Sequence, residues 1–173
     1  RLTDEKLLAP PMDNADYFFN QVLLLEPNNM AAQAGLQRVI AARAAASIKL
    51  AKLRLANMQL TSPPDDNALF YFQQALALTA DNQQAQNGLL QIAEIYLEQA
   101  KAAYASREFT KALEDINSGL LAYPEDPQLL AMAREHAAYV ERATRVTHQA
   151  APVAKSTAPP ARAKTKTQTS KPA

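Results

Sequence analysis

The sequence repeats itself, and that constrains its fold more than any other feature. Residues 10–39, PPMDNADYFFNQVLLLEPNNMAAQAGLQRV, align without a gap on residues 63–92, PPDDNALFYFQQALALTADNQQAQNGLLQI, with fourteen identities in thirty positions. Asn14, Ala15, Phe19, Asn29, Ala32 and Gly35 recur 53 positions later as Asn67, Ala68, Phe72, Asn82, Ala85 and Gly88. The aromatic triplet Tyr17-Phe18-Phe19 returns as Phe70-Tyr71-Phe72. A fainter third copy places Leu120, Pro124 and Leu129 44 positions after Leu76, Ala80 and Ala85. Repeats of this length read as stacked supersecondary units, none of which can bury its apolar face alone.

Each unit reads as two helices. With 3 Gly in 173 residues the signals for tight hairpins are missing, and abundant Ala, Leu and Gln favour helix. Pro-Pro-x-Asp predicts a stop and then an N-cap, with Asp13 and Asp66 accepting from the first free backbone amides. Leu69, Phe72, Leu76 and Thr79 follow at helical spacing. Asn82 opens a longer helix with Ala85, Leu89, Ile92, Tyr96, Ala100 and Ala103 on one stripe. The longest periodic stretch is 29–60, through Ala32, Leu36, Val39, Arg43, Ser47, Leu50 and Leu53. Glu108 opens a helix that stops at Pro124. Asp126 caps a last one bearing Leu129, Ala133, His136, Val140 and Ala143. Six helices and no sheet are expected.

The net charge of +1 conceals a division: all 17 acidic residues lie within 1–146, while 147–173 carry only basic ones, Lys155, Arg162, Lys164, Lys166 and Lys171. That last segment has no Leu, Ile, Phe, Tyr or Met, and composition of this kind predicts a disordered Ala/Pro/Lys/Thr-rich linker or arm. The expected domains are therefore 1–146, a helical repeat domain, and 147–173, a tail.

Chemistry finds little purchase here. There is no Cys, which excludes thiolate catalysis, disulfides and Cys-ligated zinc. No phosphate-cradling glycine loop is present. The pair Asp65-Asp66 reads better as capping than as metal ligation. His136 falls on an inward stripe, and His148 falls in the tail. No catalytic residue, metal site or cofactor is assigned, and the chain is expected not to be an enzyme. No apolar run is long enough to span a membrane. Five tail charges without interleaved aromatics disfavour nucleic acid as the partner.

Residues 93–126 resemble a tetratricopeptide repeat (TPR), a 34-residue helix–turn–helix unit. Tyr96, Ala100 and Ala103 stand at the family's large and small positions in the first helix. Phe109, Ala112, Ile116, Gly119 and Pro124 do so in the second helix and its closing turn. The resemblance implies an all-α fold of antiparallel helix hairpins stacked as a TPR-like α-solenoid of about three units. The first unit begins almost at its second helix, so a preceding helix is expected. Family members hold peptides on a face lined by first helices. Here that implies Leu97, Lys101 and Tyr104, next to Glu94, with Ala44 and Ile48 as repeat equivalents. The basic clamp of chaperone-binding members is not reproduced. The block Pro-x-x-Asn-Ala, followed by its asparagine turn and Gly-Leu, also resembles bacterial envelope proteins in which TPR-bearing relatives of TonB-type transducers carry Ala/Pro/Lys linkers. That likeness favours periplasm or cell envelope over cytoplasm.

Neighbouring helix residues point about 100° apart, so the aromatic triplets cannot all face one core. Phe18 and Tyr71 are left for packing between repeats or for a partner. The expected function is a non-enzymatic scaffold binding a protein or peptide segment. A structural spacer or self-association module is the alternative, and electrostatic binding of nucleic acid by the tail is the third reading.

Overall fold

A computed structural model describes residues 14–149, with side chains through Arg145. Six helices follow one another: α1 (Ala15–Leu25), α2 (Met30–Ala56), α3 (Ala68–Leu78), α4 (Gln83–Ala105), α5 (Phe109–Ala122) and α6 (Pro127–Gln149). No strand occurs among the described residues. Packing is mostly sequential, α1 on α2, α2 on α3, α3 on α4 and α4 on α5, with a smaller contact between α2 and α4. The chain divides into two compact units, Arg1–Ala138 and Tyr139–Ala173. The first holds α1–α5 and α6 up to Ala138. The second begins with the rest of α6.

The repeat is structural. Helices α1 and α3 are both 11 residues long with ends 53 positions apart. Helices α4 and α6 are both 23 residues long with ends 44 positions apart. Short and long helices therefore alternate in a shared register.

The identities between copies hold the helix starts. Asn14 and Asn67 accept from the amides of Tyr17 and Phe70, each at 2.8 Å. Asn29 and Asn82 accept from the amides of Ala32 at 2.9 Å and Ala85 at 3.1 Å. Each such cap contributes roughly 1 kcal/mol. The expected cap at Asp66 is corrected: the next residue, Asn67, takes that place, because Asp66 is drawn away by Arg54 and Tyr71. Asp13 lies outside the described residues. Asp126 does cap α6, accepting from Leu129 at 2.8 Å.

Helix ends carry no glycine. After α2 the chain turns at Met58 with φ 57°, and after α4 at Arg107 with φ 61°. In both, the following amide bonds back five residues, Gln59 to Arg54 and Glu108 to Ala103, which closes the last turn. Helix α2 accordingly stops at Ala56, four residues short of the expected stretch. Helix α6 continues three residues past 146, so 147–149 are helical, and 150–173 lie outside the described residues.

The buried residues form two clusters, a small one around Ala15 and Val39 and a larger one from Ile48 to Leu129. Phe72, Ile92, Ile116, Leu129 and Val39 are fully buried, and each contributes roughly 1.5–3 kcal/mol by leaving water. Two glycines govern how closely the helices approach. A Cβ on Gly88 would lie 2.2 Å from Phe72 Cζ, and one on Gly35 would lie 2.2 Å from Phe19 Cζ. The same ring-on-glycine contact thus joins α1 to α2 and α3 to α4. Buried residues of α2 are Ala32, Gly35, Val39, Ala44, Ser47, Ile48 and Ala51. The expected Leu50 and Leu53 are instead exposed. The stripe drifts around this long helix because α1 packs near its start and α3 near its end.

Candidate protein-binding face

The loop 57–67 between α2 and α3 has no counterpart in a 34-residue unit, and it decides which residues stay exposed. Its Leu60 is buried in one core with Ile48, Ala93 and Leu97. Backbone bonds from Ala68 to Gln59 (2.9 Å) and Leu69 to Leu60 (3.0 Å) fasten it to the start of α3. Thr61 and Tyr96 hydroxyls meet at 2.6 Å. Arg54 clasps both carboxylate oxygens of Asp66 at 2.8 and 2.9 Å, and Tyr71 donates to Asp66 Oδ1 at 3.0 Å. The Arg54 bonds, then the Tyr71 bond, hold the Asp66 carboxyl below its usual value, while the Asp66 bond raises the Tyr71 hydroxyl.

This packing corrects part of the expected face. Ala44, Ile48 and Leu97 are 2%, 7% and 4% exposed and belong to the core, where they offer a partner no surface. Lys101 is exposed and reaches Glu98 at 2.7 Å, a contact worth little in water. Tyr104 is half-buried; its hydroxyl meets His136 Nδ1 at 2.6 Å, and its ring sits edge-on to Phe109. Burial raises the Tyr104 hydroxyl, and Glu135 adds to that. His136 is buried and faces inward, so it ties α6 to α4. Tyr71 is half-buried in the Asp66 clasp. Phe18, at the same repeat position, is 42% exposed and stands edge-on to Tyr17.

What remains open on α4 is its solvent face, marked by three shallow depressions. A cavity of about 560 Å³ is lined by Gln91, Glu94, Ile95, Glu98, Gln99 and Ala102. It shares Gln91 with a cavity of about 200 Å³ beside Leu55, Phe72, Gln84 and Gly88. It shares Gln99 and Ala102 with one of about 230 Å³ beside Ser106, Glu108 and Lys111. From Gln84 to Ser106 the helix rises about 33 Å. Carboxamides and carboxylates surround the apolar Ile95 on this face, a surface suited to hydrogen-bonding a peptide.

One feature escaped the sequence reading. Asp115 is 8% exposed, and its Oδ2 has no hydrogen-bond partner. Desolvation raises its carboxyl above the usual range, opposed by Lys111. It stands at the repeat position of Phe18 and Tyr71, which was the available signal. An apolar edge runs along α1 and the following turn: Val22, Leu24, Leu25 and Met30 are 38%, 74%, 85% and 82% exposed. Where copy one has Val22, Leu24 and Met30, copy two has Ala75, Ala77 and Gln83, so the fold does not require their bulk.

Among the described residues no group of three His, Asp or Glu is placed to hold a metal ion, and no helix is long and apolar enough to cross a membrane. Compared with protein-family models, curated proteins and solved structures, the chain shows no significant match to any of them.

Proposed function

We propose that this protein is a non-enzymatic helical-repeat scaffold, TPR-like in its hairpin stacking, that holds a segment of another protein along the outer side of α4. The observation that carries the reading is the exposed face of α4 between Gln84 and Ser106, flanked by three depressions with shared lining residues and built on a helix fixed on its other side by Ala93, Leu97 and Ala100. A preformed, rigid surface binds a peptide with little ordering of its own. Side-chain amides at Gln84, Asn87, Gln91 and Gln99 both donate and accept, which matches a peptide backbone. The likeness to bacterial envelope proteins supports a cell-envelope setting.

Affinity capture with the full chain tests this, run separately on envelope and cytosolic fractions. The matched control carries Glu94→Lys and Glu98→Lys, both on exposed positions. A partner recovered from one fraction and lost in the control supports the reading. Capture indifferent to the control refutes the α4 face.

A further inference from the structure

Helix α2 carries five cations and no acidic residue in its 27 residues, and α3, packed on it, carries no charge at all. Arg54 is taken by Asp66. Among the described residues no carboxylate reaches Arg38, Arg43, Lys49 or Lys52. Where α2 meets α3, a depression of about 220 Å³ is lined by Arg43, Ala46, Ser47, Leu50, Gln74 and Leu78. It shares no lining residue with the three depressions on α4. Both of its helices lie inside the array, between α1 and α4 in the packing order.

Ser47, 5% exposed, donates to Gln74 Oε1 at 2.7 Å. That bond occupies the amide oxygen and leaves both N–H donors of Gln74 to face a ligand. The Arg43 guanidinium adds donors of its own and accepts nothing. The side-chain groups still open to a ligand there are donors, and Leu50, 39% exposed, forms an apolar wall with the half-buried Leu78. Helix stacking does not require this set. The equivalent positions of α4 and α5 carry Tyr96, Ala103, Ser118 and Ala122 in place of Arg43, Leu50, Gln74 and Leu78.

We propose that this depression docks an acidic segment of a partner protein, with a carboxylate on Arg43 and Gln74 and an apolar side chain two residues away on Leu50 and Leu78. In an extended segment such side chains share a face and stand about 6.6 Å apart. Arg43 and Leu50 are separated by about 10.5 Å along α2, and the long Arg43 side chain bridges the difference. A guanidinium fork matches a carboxylate, and the uncompensated charge of α2 draws an acidic segment toward it. This surface is independent of the α4 face, and neither reading needs the other.

Titration of the full chain with a short fluorescent peptide carrying Glu-Ala-Leu, followed by anisotropy at low salt, tests it. The expected result is saturable binding that Arg43→Gln weakens roughly fivefold or more and Leu50→Ser roughly threefold or more, with the melting temperature little changed. Peptides carrying Gln-Ala-Leu or Glu-Ala-Ser in the same frame should lose comparable factors. Should Arg43→Gln disturb the fold, Gln74→Glu probes the same place: it keeps the bond from Ser47 and sets a carboxylate where the donors were. Glu94→Lys with Glu98→Lys should not weaken this binding, so failure here and failure of the α4 face are told apart. Absence of saturable binding overturns the proposal, as does binding indifferent to both Arg43→Gln and Gln74→Glu. So does a single-stranded oligonucleotide that binds more tightly than the peptide and depends on Arg43, which assigns the charge of α2 to phosphate.

Discussion

The ring of Phe72 fills the space that a side chain on Gly88 would need, with Cζ 2.2 Å from the position of its Cβ. The ring is 1% exposed, so a side chain on Gly88 must displace a buried group. Gly88→Ala gains helix propensity of roughly 1 kcal/mol but overpacks this contact at a cost of about 1–3 kcal/mol or more. The net expectation is loss of stability in urea denaturation. Adding Phe72→Leu should restore part of it, since the two positions are coupled. Gly35→Ala should cost less, because Phe19 is only partly buried and has room to yield.

Asn67 does two jobs at the start of α3. Its Oδ1 accepts from the Phe70 amide at 2.8 Å, and its Nδ2 donates to the Pro63 carbonyl at 2.7 Å, in a site only 5% exposed. Asn67→Ala should therefore cost about 1–2 kcal/mol. Asn67→Asp keeps the cap oxygen but loses the donor and should fall between. Asn82→Ala, at a more open cap, should cost less than Asn67→Ala. Thermal melts of the three variants check the order.

The helix count, the repeat register and the inward lines of α3 and α5 were legible because apolar periodicity and capping residues act locally. The site was less so. Asp66 had the chemistry of a cap, but only the fold shows that Arg54 and Tyr71 reach it first. Leu97 and Ile48 were placed on an open face by the spacing of a shorter unit, and the extra loop that brings Leu60 against them acts at long range. Gly35 and Gly88 stood out as identities, yet the rings above them are distant in sequence. The end of α2 was blurred because Met58 takes the left-handed turn that glycine usually marks.

Asp115 predicts a pH dependence. Its carboxyl is raised in the folded state by burial without a partner for Oδ2. Below the ordinary value of 3.8 both folded and unfolded forms are protonated, and the burial carries no charge penalty. As pH rises from there through the folded value, the unfolded state loses its proton first and stability falls. Asp115→Asn removes that penalty. It should raise stability at neutral pH by about 1 kcal/mol, or roughly 2–4 °C in a chain of this size. The gain should vanish under acid conditions. Melting curves of both proteins across that range decide it.

Leu97 and Glu94 sit three residues apart on α4 and should respond oppositely to charge. Leu97 is 4% exposed among Ile48, Leu60 and Ala100. Leu97→Glu buries a carboxylate there without a counterion and should cost several kcal/mol, on the order of 3–5 kcal/mol, enough to unfold a marginal domain. Glu94 faces solvent. Glu94→Lys with Glu98→Lys should leave the melting temperature within about 2 °C, as exposed substitutions do, and should remove partner capture. A stable Leu97→Glu protein would mean that the loop 57–67 lifts away from α4 and that the face lined by Leu97, Lys101 and Tyr104 opens in solution. Amide exchange at Ala68 and Leu69, whose amides donate to the Gln59 and Leu60 carbonyls, reads that directly: protection should be high in the native chain and lost with loop opening.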